Sequence, residues 1–114
     1  GRMYVVEMRD YPYGLPPDNQ PGGTVRLLED TDGDGRADRS VVFAERLSYP
    51  TSIAPYRDGV IVTAPPEIVF LKDSDGDGRS DVREVLYRGF RRAVTDGNMS
   101  GLRWGLDNWL HGVN

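Results

Sequence analysis

Apolar residues fall in short runs of five to seven positions, separated by stretches rich in Gly, Pro and Asp. Such runs, dense in Val, Ile and aromatic residues and bounded by turn formers, predict β-strands. They occupy residues 3–8, 24–29, 40–45, 51–56, 60–64, 67–72, 82–88, 101–107 and 108–113. No apolar run reaches the eighteen residues that a membrane-spanning helix needs.

The strands recur. Residues 51–56, 60–64, 67–72 and 82–88 read as four antiparallel strands, with "RDG" turning the first into the second. The stretches at 3–8, 24–29 and 40–45 match the second, third and fourth of these, and 101–107 and 108–113 match a first and a second. A period of about 40–50 residues built on four strands is the signature of a propeller blade. The expected fold is all-β: antiparallel four-stranded blades forming a partial β-propeller of about two and a half blades. Residues 1–48 give most of one blade, 49–90 a full blade and 91–114 the start of the next. A small β-sandwich is the competing architecture. The opening "GRMYVVEM" reads as the inside of a strand, which suggests a segment of a longer protein. Blades bury their faces against neighbours, so a segment of this size is expected to be marginally stable alone.

Two nearly identical nine-residue stretches stand at the expected hairpin tips: "DTDGDGRAD" at 30–38 and "DSDGDGRSD" at 73–81. Together they hold eight of the eighteen acidic residues. Each carries a local charge of −3, which leaves the rest of the chain at +2 within a net −4. Carboxylates at positions 1, 3 and 5 with Gly at 6 describe a calcium loop, since Ca²⁺ takes six to eight hard oxygens and the Gly permits the sharp turn. The candidate ligands of the first loop are Asp30, Asp32, Asp34, the Arg36 carbonyl and Asp38. Those of the second are Asp73, Asp75, Asp77, the Arg79 carbonyl and Asp81. Glu84 stands at position 12 of the second loop, as a twelfth-position ligand or as an ordinary strand residue; Val41 holds that place in the first. An EF-hand would need flanking helices. Here "PPEIVFLK" and "SVVFA" favour strands, so each loop is read as a hairpin tip. Acidic solvated turns are the plainer alternative. Magnesium prefers near-ideal octahedra, and zinc would want Cys or His.

The remaining chemistry is sparse. The chain lacks cysteine, which excludes disulfides, thiolate metal sites and haem attachment within it. No basic stripe with interleaved aromatics is present, which argues against nucleic-acid binding. An insertion, "RDYPYGLPPDNQPGG" at 9–23, lies where the later repeat has little more than "PP". Its tyrosines Tyr11 and Tyr13 offer flat amphipathic contacts, either to a ligand or as cover for a neighbouring blade. The single histidine, His111, sits in an expected strand and is read as structural, as are Trp104 and Trp109.

The segments "EMRDYPYGLP", "LEDTDGDGRAD", "DSDGDGRSDVREVL" and "GLRWGLDNW", in this order, resemble the propeller module of bacterial membrane-bound dehydrogenase proteins of the planctomycete type. That module is similar in turn to the soluble glucose/sorbosone quinoprotein dehydrogenases. The resemblance implies a periplasmic, cell-envelope or secreted location and two bound Ca²⁺. It implies the remaining blades of the same propeller as partners, and a c-type haem domain elsewhere in the chain. It also implies sugar or alcohol oxidation with pyrroloquinoline quinone in the full-length protein. Relatives often carry a His just before "GLRWG"; here Asn98, Met99 and Ser100 stand there, so no complete active site is expected in this segment. The alternative is a non-enzymatic, calcium-stabilised propeller that binds carbohydrate or protein.

Overall fold

The structure is a computed structural model that describes residues 1–14, 20–91 and 98–113. Every regular element among these residues is a strand, and all pairings are antiparallel. The first sheet runs β1 (Arg2–Glu7), β2 (Gly23–Glu29) and β3 (Arg39–Leu47) in that order. The second is a four-stranded meander of β4 (Ser52–Tyr56), β5 (Gly59–Ala64), β6 (Glu67–Lys72) and β7 (Val82–Arg88). The third pairs β8 (Ser100–Trp104) with β9 (Leu110–Val113). Residues 15–19 of the 9–23 insertion, and 92–97 before β8, lie outside the described residues.

Local chemistry explains the hairpins. Arg57 and Asp58 alone join β4 to β5, with Arg57 at φ 50°. A Cβ on Gly59 would overlap the Leu71 carbonyl and the Phe70 ring, so the close approach of β6 needs glycine. The strand expected over 101–107 ends early, at Trp104. Gly105–Asn108 turn instead, with the Gly105 N–H on the Trp109 carbonyl at 2.9 Å and Asn108 at φ 61°. The next strand therefore starts at Leu110 rather than at residue 108.

The 43-residue repeat is carried into the pairing register. Leu27 faces Val41 across β2–β3, and Phe70 faces Glu84 across β6–β7. Both hairpins also carry a bulge at the same place. Val25 pairs with Ala44 and Arg26 with Val42, leaving Phe43 over; Ile68 pairs with Tyr87 and Val69 with Val85, leaving Leu86 over.

The core lies between the first two sheets. Val25, Leu27, Phe43 and Leu47 of the first meet Val60, Val62, Ala64, Val69 and Leu71 of the second, and all are buried. Tyr4 closes on Phe43 edge-to-face at 4.9 Å. The contact is polar as well as apolar. The Ser80 N–H donates to the Phe43 carbonyl at 2.7 Å, and the Arg83 guanidinium donates to the carbonyls of Glu45 and Arg46, each at 3.3 Å.

The other face of the second sheet meets the third. The Leu102 N–H donates to Ser52 Oγ and the Trp104 indole to the Pro55 carbonyl, both at 2.9 Å. The Thr51 hydroxyl donates to the Met99 carbonyl. Trp104 stacks on Tyr56 at 5.8 Å. Beyond these contacts the two sheets diverge and leave an apolar cleft of about 590 Å³, lined by Ile61, Ile68, Leu86, Phe90, Leu102 and Trp109 among others.

Candidate metal centre

Both Asp-rich stretches fold as the tips of hairpins, β2–β3 for the first and β6–β7 for the second. In each, the strands hold the first and last aspartates in fixed places while the glycines turn the chain. Gly33 and Gly35 stand at φ 81° and 86°, and Gly76 and Gly78 at 85° and 91°, where an L side chain is strained.

The turn is knitted by its own carboxylates. Asp30 accepts the N–H of Gly33 at 2.7 Å on one oxygen and that of Gly35 at 3.1 Å on the other. Asp32 accepts the Asp34 N–H at 3.1 Å, and Asp34 the Arg36 N–H at 2.8 Å. The second loop repeats this bond for bond. Asp73 takes Gly76 at 2.7 Å and Gly78 at 2.9 Å, Asp75 takes the Asp77 N–H at 3.2 Å, and Asp77 takes that of Arg79 at 2.7 Å. The N–H of Gly33 is the main cause of a lowered Asp30 pKa, and that of Gly78 the main cause of a lowered Asp73 pKa. Both groups are held as anions.

Three carboxylates converge in each loop. One oxygen each from Asp30, Asp32 and Asp34 lie within 4.8 Å of one another, and so do those from Asp73, Asp75 and Asp77. Ligands around one Ca²⁺ at about 2.3–2.6 Å are at most about 5 Å apart, so each triplet fits a single hard cation. The first aspartate of each triplet is half-buried and the other two are exposed. Solvent can therefore complete a shell of six to eight oxygens.

The remaining candidates divide. Asp38 and Asp81 do not join the converging triplets. Asp38 accepts the N–H of Thr31 at 3.3 Å and its hydroxyl at 2.6 Å. Asp81 accepts the N–H of Ser74 at 2.8 Å and also its hydroxyl, the main cause of a lowered Asp81 pKa. Each of these aspartates closes the loop from behind. Arg36 and Arg79 contribute their N–H groups to the turn, and their side chains are exposed. Glu84 stands on β7 opposite Phe70, exposed and outside the triplet. Thr31 and Ser74 were not singled out from the sequence. The signal was a hydroxyl at the second position of both copies.

Below the first loop, Glu29 is buried between Arg2 and Arg39, with oxygen–nitrogen distances of 2.7 Å to each. Arg39 also reaches the Asp77 carbonyl at 3.4 Å, so the base of one loop touches the rim of the other. The loops differ in their surroundings. Gly78 is buried, with Leu27 and Val41 beside it, whereas Gly35 has open space around it.

Away from the loops, His111 Nε2 lies 3.1 Å from both Asp107 oxygens, at the surface. The Asp107 pKa is lowered, first by the Trp109 N–H and then by His111. In the 9–23 insertion, Asp10 is buried and accepts the N–H groups of Gly22 at 2.8 Å and Tyr49 at 3.4 Å. That ties the start and the end of the insertion to the β3–β4 connection, with Tyr13 standing almost fully exposed.

The family described as a domain of unknown function, DUF7133, matches residues 1–114. No curated protein and no solved structure matches the chain.

Proposed function

The chain belongs to that family along its whole length, and from the geometry of its loops we propose that it is a calcium-binding segment of a β-propeller. The observation that carries this reading is the duplicated triplet: Asp30, Asp32 and Asp34, and Asp73, Asp75 and Asp77, converge alike at equivalent hairpin tips. Each triplet brings three carboxylate oxygens to within 4.8 Å of one another, a cost in repulsion that a hard cation would remove.

In this reading the three inward carboxylates of each loop hold the ion. Asp38 with Thr31, and Asp81 with Ser74, fix the loop behind it. The cation supplies charge neutralisation, which relieves repulsion among anions that the backbone N–H groups keep ionised. The role is structural: the ion clamps a hairpin tip. The four-stranded meander with a three-stranded sheet on one face and a two-stranded sheet on the other supports the propeller assignment.

The dehydrogenase part of the proposal rests on the resemblance of the four sequence segments. It includes an envelope or periplasmic setting, a quinone cofactor and a haem domain in the full-length protein. A second reading, a calcium-stabilised platform for carbohydrate or protein, is favoured by the exposure of Tyr11 and Tyr13 on the tethered insertion.

Calorimetric calcium titration of chelator-treated protein tests the metal, beside a variant carrying Asp32→Ala and Asp75→Ala. Two sites in the parent and none in the variant are expected. A folded parent that takes up no calcium would leave the loops as acidic turns and end this reading.

A further inference from the structure

The chain holds one histidine and no cysteine. Histidine is the side chain whose ordinary pKa puts its charge change between pH 5 and 8. An ordinary side-chain titration in that window therefore falls at His111. Its partner belongs to a built turn. Asp107 presents both carboxylate oxygens to His111 Nε2 at 3.1 Å, and Oδ1 also accepts the Trp109 N–H at 3.1 Å. The turn closes with the Gly105 N–H on the Trp109 carbonyl at 2.9 Å and the Asn108 N–H on the Gly105 carbonyl at 3.2 Å. The pair lies directly over Gly105. A Cβ there would overlap Asp107 Oδ1 and stand 2.8 Å from His111 Nε2, so a side chain would part the two. Gly105 has no positive φ, so close approach and not backbone angle requires the glycine.

Among the described residues, Asp107 is the charged group in contact with His111. Arg103 stands opposite His111 in the β8–β9 ladder and is exposed. At the near end of the second sheet, Arg57 rests on the Tyr56 ring at 5.0 Å and Asp58 pairs with Lys72. A protonated His111 therefore gains an anion at contact distance and faces one cation across the ladder. Like charges set opposite one another oppose pairing. The long Arg103 side chain can turn its head into water, whereas the carboxylate is held in place by the Trp109 N–H. Attraction to Asp107 wins.

We propose that His111, Asp107 and Gly105 form a pH-sensitive latch on the turn between β8 and β9. Protonation of His111 adds an ion pair to its hydrogen bond and fixes the carboxylate that holds the Trp109 N–H. Trp104 and Trp109, at the two ends of the turn, both line the apolar cleft, so the latch firms one wall of that cleft. Deprotonation leaves a hydrogen bond alone. The closed turn is thus favoured in mild acid, and the advantage is lost as pH rises through the histidine titration. The inference needs no metal in either loop.

The test follows two amides of the full chain by nuclear magnetic resonance across the histidine range, about pH 5 to 8. The Trp109 amide shift is expected to trace a one-proton curve. Exchange protection of the Gly105 amide, corrected for its intrinsic rate, is expected to fall about two- to fivefold toward the alkaline end, the size of an exposed ion pair. His111→Gln keeps a side-chain donor without a titrating group and should flatten both. Gly105→Ala keeps both charges and should flatten both as well, because its methyl parts the pair. Arg103→Gln removes the opposing charge and should enlarge the fall. Unchanged protection in β2 and β3 shows that each variant is folded. A parent whose two amides stay flat across the window overturns the proposal, and so does a transition that survives in His111→Gln.

Discussion

The backbone N–H of Ser80 donates to the carbonyl of Phe43 at 2.7 Å, so the second loop is fastened to the sheet that carries the first. Phe43 holds that carbonyl in place with a ring buried between Tyr4 and the core. Truncating Phe43→Ala leaves a cavity and loosens the seat, and is expected to cost about 3–5 kcal/mol. Urea unfolding of parent and variant measures it. A loss below about 1 kcal/mol, the range of an ordinary surface change, would mean that the two sheets do not depend on this contact.

Glu29 is expected to behave as a buried anion with two keepers. Its side chain is 9 % exposed, while Arg2 and Arg39 are half-open to solvent. Removing Arg39 leaves Glu29 with Arg2 alone, and solvent screening keeps the cost of Arg39→Ala to about 1–2 kcal/mol. The double variant with Glu29→Gln should recover part of that loss. A double-mutant cycle on the melting free energies reads the coupling.

Acid should weaken the apo protein through its loops. The folded pKa values of Asp30 and Asp73 lie below the ordinary 3.8, held there by the N–H groups of Gly33 and Gly78 respectively. A depressed carboxylate contributes stability that is present above its unfolded pKa and is lost as pH falls through the folded one. In the presence of chelator, the urea midpoint is therefore expected to drop below about pH 4. The drop should be shallower in the variant Asp30→Asn with Asp73→Asn, whose amides do not titrate.

Calcium should raise thermal stability unequally through its two loops. A site filled to about a hundred times its Kd adds about 2.7 kcal/mol. In saturating calcium, Asp32→Ala and Asp75→Ala each remove one such increment. The larger fall in Tm is expected for Asp75→Ala, because its loop also seats Gly78 and Ser80 on the first sheet. Equal falls would show that the seating is independent of the ion.

Much of this was legible in the sequence. Apolar runs bounded by Gly, Pro and Asp gave every strand but β8 within two residues at either end, and the repeated "DGDG" placed both turns and both carboxylate triplets. What stayed hidden depends on contacts between distant segments. Nothing local marks Ser80 as a donor to β3, or Asp10 as the buried anchor of the 9–23 insertion. Spacing singled out Asp38 and Asp81 but not the hydroxyls that they hold. Their partners Thr31 and Ser74 lie one residue past the first aspartate, and the hydrogen bonds appear only once the hairpin closes. The end of β8 was overrun because "GLRWGLD" keeps its apolar residues through a turn that Asn108 makes with a positive φ.

The extra residue in β3 and in β7 takes no part in the ladder of its own sheet. Delete either one and the ladder on both sides of the bulge would still meet in register, since Val25–Ala44 and Arg26–Val42, or Ile68–Tyr87 and Val69–Val85, would simply become neighbours. What would vanish with Phe43 is an alignment peg for the next layer, the carbonyl that receives the Ser80 N–H. Deletion of Phe43 would thus keep the hairpin in register while removing both the ring that Tyr4 packs on and the carbonyl that receives Ser80.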